Sequence, residues 1–302
     1  MTSESKYRTF PGQSKPDTAV RQQKVHRAKR LRAARALAGR LHLMPDGTRM
    51  FQRFSTAQRI EHQVLIVTFT LLAFTGLIQR YAEVGPVAFS INNLMGGIDN
   101  VRAIHRLAAI IFVIEAIYHT WIILVQWFVK HDLGTMWPTR RDARDAAQIV
   151  KYNLGLAKRR PRYGRFSFDE KIEYYALVWG SIVMIITGIV QWFPLLATRF
   201  LPGQAVAISR AIHSWEALLA TLAILTWHMY HTVIKHRNTS IFTGMMSEEE
   251  MLEDHPLEYE RIMAASAYLE QLETNQEIKT GETGASAEKE ELEPGHTAQS
   301  DR

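Results

Sequence analysis

The chain contains no cysteine among its 302 residues. That excludes disulfides, thiolate-held iron–sulfur clusters and haem attached covalently through a CxxCH site. Any metal chemistry must rest on histidine, methionine or carboxylates. Aspartate is missing from four apolar runs, at roughly 62–80, 104–129, 174–193 and 211–234. Glu115 and Glu216 are the only carboxylates deep within them. Positive charge is sparse in two of the connections, about 81–101 and 194–210. These absences outline a chain with a membrane-like interior and uneven ends.

The mean hydropathy of −0.13 averages two populations. Each apolar run is long enough to cross a hydrocarbon core as a helix. Trp121, Trp127, Trp179, Trp192 and Trp227 lie in the runs, several near their ends, as interfacial aromatics do. Nothing else in the chain could cover so much apolar surface, which argues against four buried helices of a soluble protein. The expected fold is an all-α membrane protein, a bundle of four transmembrane helices.

Lysine and arginine set the expected orientation. "VRQQKVHRAKRLRAARALAGR" spans 20–40, and "TRRDAR" at 139–144 and "KRRPRYGR" at 158–165 make the middle loop basic. The positive-inside rule places both termini and this loop in the cytoplasm of an inner-membrane, multi-pass protein. The N-terminus is polar and charged, with no apolar stretch of a cleavable signal. The isoelectric point near 9.5 then reflects contact with anionic lipid rather than with nucleic acid. Three regions follow: a basic arm at 1–55, a membrane domain at 56–240 and a cytoplasmic tail at 241–302. The basic stretch 19–43 reads as a helix lying on the membrane or a partner. Residues 1–18 and those beyond about 274 have the composition of disordered chain. Ser247 and Glu250 match a capping box opening a short helix in the tail.

The membrane domain is built from a repeat. "RIEHQVLIVTFTLLAFTGLIQRY" at 59–81 aligns without gaps with "KIEYYALVWGSIVMIITGIVQWF" at 171–193. Glu61 meets Glu173, Thr75-Gly76 meets Thr187-Gly188, and Gln79 meets Gln191. Each copy is followed by a polar connection and then by Arg-Ala-Ile-His, at 102–105 and 210–213. Two similar hairpins therefore cross the membrane in the same direction.

Ionisable side chains inside spans are costly and usually functional. His105 and His119 are fourteen residues apart, and His213 and His228 fifteen. At about 100° and 1.5 Å per residue, each pair shares a broad helix face and is separated by about 21 Å along the axis. His105 and His213 fall at one depth, near the outer surface, where one from each helix can clamp a haem iron. His119, His228 and His62 fall at the inner depth, with His231 one turn further along. Two matched depths point to stacked b-type haems. Arg102 and Arg210 precede the outer histidines by three residues and are candidates for haem propionates, as is the adjacent Arg106. Gly76 and Gly188 would let either a macrocycle or a neighbouring helix approach the backbone.

The segments "RIEHQVLIVTFTLLAFTGL", "IHRLAAIIF", "EYYALVWGSIVMIITG" and "IHSWEALLATLAILTWHMY" resemble the membrane cytochrome b subunits of the formate dehydrogenase gamma type, over about 55–240. The resemblance implies a four-helix anchor with two b haems and a quinone site near the cytoplasmic haem. It also implies a periplasmic iron–sulfur or c-type cytochrome subunit as redox partner. Carried over by position, the outer haem takes His105 and His213, and the inner haem His62 and His228. His119 and His231 depart from that pattern. His119 with His228 would imitate the cytochrome b of quinol–cytochrome c reductases. His62 and His119, each with one fourth-span histidine, would make two inner haems and three in all. His62 is preferred as the partner of His228, although it aligns with Tyr174 in the repeat. Two other functions fit the same histidines: a His-lined metal or proton transporter, and a structural anchor of a larger complex.

Overall fold

The computed structural model of the protein describes residues 16–129, 136–235 and 237–291. The chain divides into two compact units, Leu43–Glu258 and a second formed by the flanking stretches up to His42 and from Tyr259.

The larger unit holds four long apolar helices. In chain order the helices are α1 (Pro16–Ala38), α2 (Thr56–Arg80), α3 (Gly85–Asn93), α4 (Ile98–Phe128), α5 (Arg140–Asn153), α6 (Phe168–Trp192), α7 (Pro194–Ala197), α8 (Gln204–Ala223), α9 (Ser240–Thr243), α10 (Glu248–Asp254) and α11 (Pro256–Glu291). The described residues also form three short strands, β1 (Leu41–Leu43), β2 (Arg49–Gln52) and β3 (Met245–Ser247). α8 continues through two π-helical stretches, Ile224–His228 and Tyr230–Lys235. Among the described residues, four helices are long and apolar enough to cross a membrane: Thr56–Arg80, Ile98–Phe128, Phe168–Trp192 and Gln204–Ile234. Each begins about six residues before its apolar run. The first turns are polar because they lie where helix ends need hydrogen-bond partners.

The repeat begins at those polar turns. Ser55 and Ser167 occupy equivalent positions, and each closes a capping box, with Gln58 and Glu170 respectively. The serine oxygen accepts from the N3 amide while the N3 side chain accepts from the serine amide. The same device opens α5 at Thr139 with Asp142 and α10 at Ser247 with Glu250, the latter as the sequence predicts. α2 packs along α4 and α6 along α8, so each hairpin is a unit, and α2 also touches α8.

Ionic contacts fasten the end of the bundle where α2 and α6 start. Arg53, almost fully buried, donates to Glu170 Oε1 at 2.7 Å and to Arg165 O. Lys171 Nζ sits 2.8 Å from Asp142, tying α5 to α6. β2 pairs antiparallel with β3, Phe51 opposite Met246, both fully buried. His255 donates from Nδ1 to Gly164 O at 2.8 Å, and Leu257 donates its amide to Tyr163 O. α5 and these anchors lie in the basic middle loop and the tail, where charge alone announced no structure.

The basic stretch 19–43 is helical up to Ala38, within α1. Residues 1–15, most of the N-terminal stretch read as disordered, lie outside the described residues. α11 runs on past 274 to Glu291, and residues 292–302 lie outside the described residues.

Candidate haem-binding site

Two histidine pairs face each other at two levels of the bundle. His105 on α4 and His213 on α8 have ring centres 6.5 Å apart, at the end where those helices begin. His62 on α2 and His228 on the extension of α8 have ring centres 6.3 Å apart, at the opposite end. With metal–imidazole bonds of about 2 Å and a ring nitrogen roughly 1 Å from its ring centre, two imidazoles opposed across one iron have centres about 6 Å apart. Both pairs meet that spacing.

The surroundings of the first pair set which nitrogen is free. Thr75 donates its hydroxyl proton to Leu71 O at 2.5 Å, so its oxygen accepts from His105 Nδ1–H at 2.8 Å. Thr187 donates to Val183 O at 2.7 Å and accepts from His213 Nδ1–H at 2.9 Å. In each ring Nε2 therefore keeps its lone pair, the form in which imidazole binds a metal. Gly76 and Gly188 make room for the rings themselves. A Cβ at Gly76 would sit 3.4 Å from His105 Cε1, and one at Gly188 3.3 Å from His213 Cε1. Among the protein atoms, the close approach is that of the imidazole and not of a second backbone.

At the opposite end the support differs. His228 Nδ1 donates to Glu173 Oε2 at 2.9 Å, again leaving Nε2 free. His62 Nδ1 is buried with no hydrogen-bond partner. No protein group among the described residues fixes the tautomer of this ring. Facing imidazoles, three of them held at Nδ1 with Nε2 free, are a donor set that fits haem iron.

The remaining sequence candidates separate from these pairs. His119 has both nitrogens engaged: Nδ1 donates to Glu61 Oε2 at 2.8 Å, and Nε2 accepts from Tyr174 Oη at 3.0 Å. Glu115 joins it, with ligand atoms of Glu61, Glu115 and His119 within 4.8 Å of one another. His231 donates to Trp227 O one turn back and packs on Trp227 and Tyr230 of its own helix. Arg102 is exposed and paired with Asp99 at 3.1 Å, and Arg210 is exposed. Arg80 donates to Ser214 Oγ, next to His213, and lies over the Trp215 ring at 4.5 Å. Arg106 lies over Trp192 at 5.4 Å. Glu216 Oε1 lies against α6, 2.9 Å from where a Cβ on Gly180 would be.

Sequence reading named every histidine of the two pairs but missed what holds them. Thr75, Thr187 and Glu173 were visible only as matches in the repeat. The signal was their spacing: Glu61 to Thr75 and Glu173 to Thr187 are each fourteen residues, the spacing of His105 to His119.

The family model of prokaryotic cytochrome b561 matches residues 53–248. The chain is 26% identical over 233 residues to the formate dehydrogenase cytochrome b556 subunit of Haemophilus influenzae, covering 76% of this chain and 91% of that protein. It is 24% identical over 221 residues to the nitrate-inducible formate dehydrogenase cytochrome b556(Fdn) subunit of Escherichia coli K12, covering 73% and 95%.

Proposed function

This chain belongs to the prokaryotic cytochrome b561 family, and we propose that it carries electrons through two b haems between a periplasmic redox subunit and the quinone pool. Membership of that family selects electron transfer among the readings the sequence allowed. The chain is a multi-pass membrane cytochrome that binds haem b. Its ligands, in our reading, are His105 with His213 for the outer haem and His62 with His228 for the inner one. The carrying observation is two opposed imidazole pairs, each at the spacing of a single iron, with Nδ1 fixed in three of the four rings.

Haem iron supplies one-electron chemistry when bound. The residues of this chain present Nε2, hold the rings in one orientation and exclude water with four apolar helices. His119 is tied to Glu61 and Tyr174 and takes no haem, so two haems are favoured over three. The quinone site lies near the inner pair, at the cytoplasmic end, and both termini are cytoplasmic in an inner membrane. The relatives are named as subunits of formate dehydrogenases, which supports a catalytic partner subunit for this chain. Lacking cysteine, this chain needs that partner to bring iron–sulfur clusters or c-type haem.

The test is haem quantitation with reduced-minus-oxidised spectra of the purified chain. Two b haems are expected, falling to one in His105→Ala or His213→Ala and staying at two in His119→Ala and His231→Ala. A chain without a b-type band overturns the reading, and loss of a haem in His119→Ala overturns the ligand set.

A further inference from the structure

The four ligand histidines are not supported alike. On α6, Thr187 and Glu173 stand fourteen residues apart, and each receives the Nδ1–H of a histidine on the α8 strand of the bundle. Thr187 is neutral, and its own proton is already donated to Val183 O. Glu173 is a carboxylate, about one quarter exposed, as is His228. α2 carries the same two residue types at the same spacing. There Thr75 serves His105, but Glu61 serves His119, which is not in either pair. Its neighbour His62 faces His228 with Nδ1 unpartnered. The outer pair is therefore backed by two hydroxyls, and the inner pair by one carboxylate and one bare ring nitrogen.

That difference acts on the iron. A carboxylate accepting Nδ1–H draws the proton toward itself and makes the imidazole a stronger donor. Oxidised haem carries one more positive charge than reduced haem, and a fixed negative charge close by in a water-poor setting favours the more positive form. A hydroxyl orients its ring without adding charge. We infer that Glu173 is a positioning residue that holds the inner haem at a lower reduction potential than the outer haem. The inference rests on the ligand assignment above. It extends that assignment by giving the two sites unequal potentials through α6. In the first hairpin the equivalent carboxylate, Glu61, holds the equivalent histidine, His119, but that ring meets Tyr174, which stands in α6 where α2 has His62.

The experiment is a potentiometric titration of both b haems in the purified full chain, with haem content measured in parallel. Glu173→Gln keeps an acceptor for Nδ1–H but removes the charge. It should retain two haems and raise only the lower midpoint, by at least tenfold in the reduction equilibrium, or about 59 mV for one electron. Glu173→Asp should restore the original value. Unchanged midpoints, or a shift of the higher couple, overturn the inference. Should Glu173→Gln lose its inner haem, single-haem variants decide the matter. His105→Ala must then retain the lower midpoint and His62→Ala the higher, and the reverse order overturns the inference. Preparations with no b haem at all overturn the haem reading itself instead.

Discussion

Thr187 and Thr75 sit inside apolar helices, where a threonine normally returns its proton to the preceding turn and does nothing further. Here the same hydroxyl oxygen also receives an imidazole Nδ1–H. Thr187→Val removes that acceptor while keeping the shape. His213 loses its fixed tautomer, and haem affinity at the His105–His213 pair should fall about 10- to 100-fold. Haem-loss kinetics on the purified protein measure this, and Thr187→Ser should restore retention. A different histidine sets a pH limit outside the spans. Burial, with Arg53 adding to it, pushes the His255 value from 6.5 down to about 4. The folded form therefore resists a proton that the unfolded chain accepts below pH 6.5. Stability from this contact is full above that value and is lost as pH falls towards 4, a change on the order of 3 kcal/mol. The thermal midpoint of the purified chain should drop between pH 7 and pH 5, and His255→Gln, which can still donate to Gly164 O, should flatten the dependence.

The fourth span shows how an element repairs what its sequence breaks. The repeat sets fourteen residues between the histidines of α4 but fifteen between His213 and His228. In a regular α-helix fifteen residues overshoot the starting face by about 60°, whereas fourteen fall short by about 40°. The π-helical stretch Ile224–His228 absorbs one residue without advancing the phase, so His228 lands where fourteen α-helical residues would place it. Deleting Leu225 should therefore convert the turn to α-helix and leave haem content unchanged. Inserting one alanine after Leu218, in the regular part of α8, should rotate His228 away from His62 and lower haem content. This is also where legibility in the sequence ended. The spans, the hairpin repeat and the facing of His105 by His213 followed from period, charge and a matched motif, because each repeats in register. The facing of His62 by His228 did not, because a one-residue insertion and the exchange of His62 for Tyr174 hide the symmetry. Which residue of the other hairpin meets each inner histidine, His62 for His228 and Tyr174 for His119, is set by helix packing, and no spacing along one helix reveals it.

At the scale of the molecule, charge and chemistry divide the bundle in the same sense. The ionic contacts of Arg53 with Glu170 and of Lys171 with Asp142 gather at the end where α2 and α6 begin, together with the basic middle loop. That is also the end holding His62, His228 and the Glu61–His119–Tyr174 contacts. The opposite end carries His105 and His213 and connections with few cations. If the basic end faces the cytoplasm, an electron entering from a periplasmic partner reaches the outer pair first and ends beside cytoplasmic protons. The orientation is open to direct test because the chain has no native cysteine to confuse a thiol label. Lys158 in the middle loop and Arg199 after α7 are both exposed. In intact spheroplasts a membrane-impermeant maleimide should label Arg199→Cys and leave Lys158→Cys unmodified until the membrane is opened. Labelling in the opposite order would place the His62–His228 pair on the outside. Quinone reduced there would draw its protons from the periplasm, and electron transfer from a periplasmic donor would no longer charge the membrane.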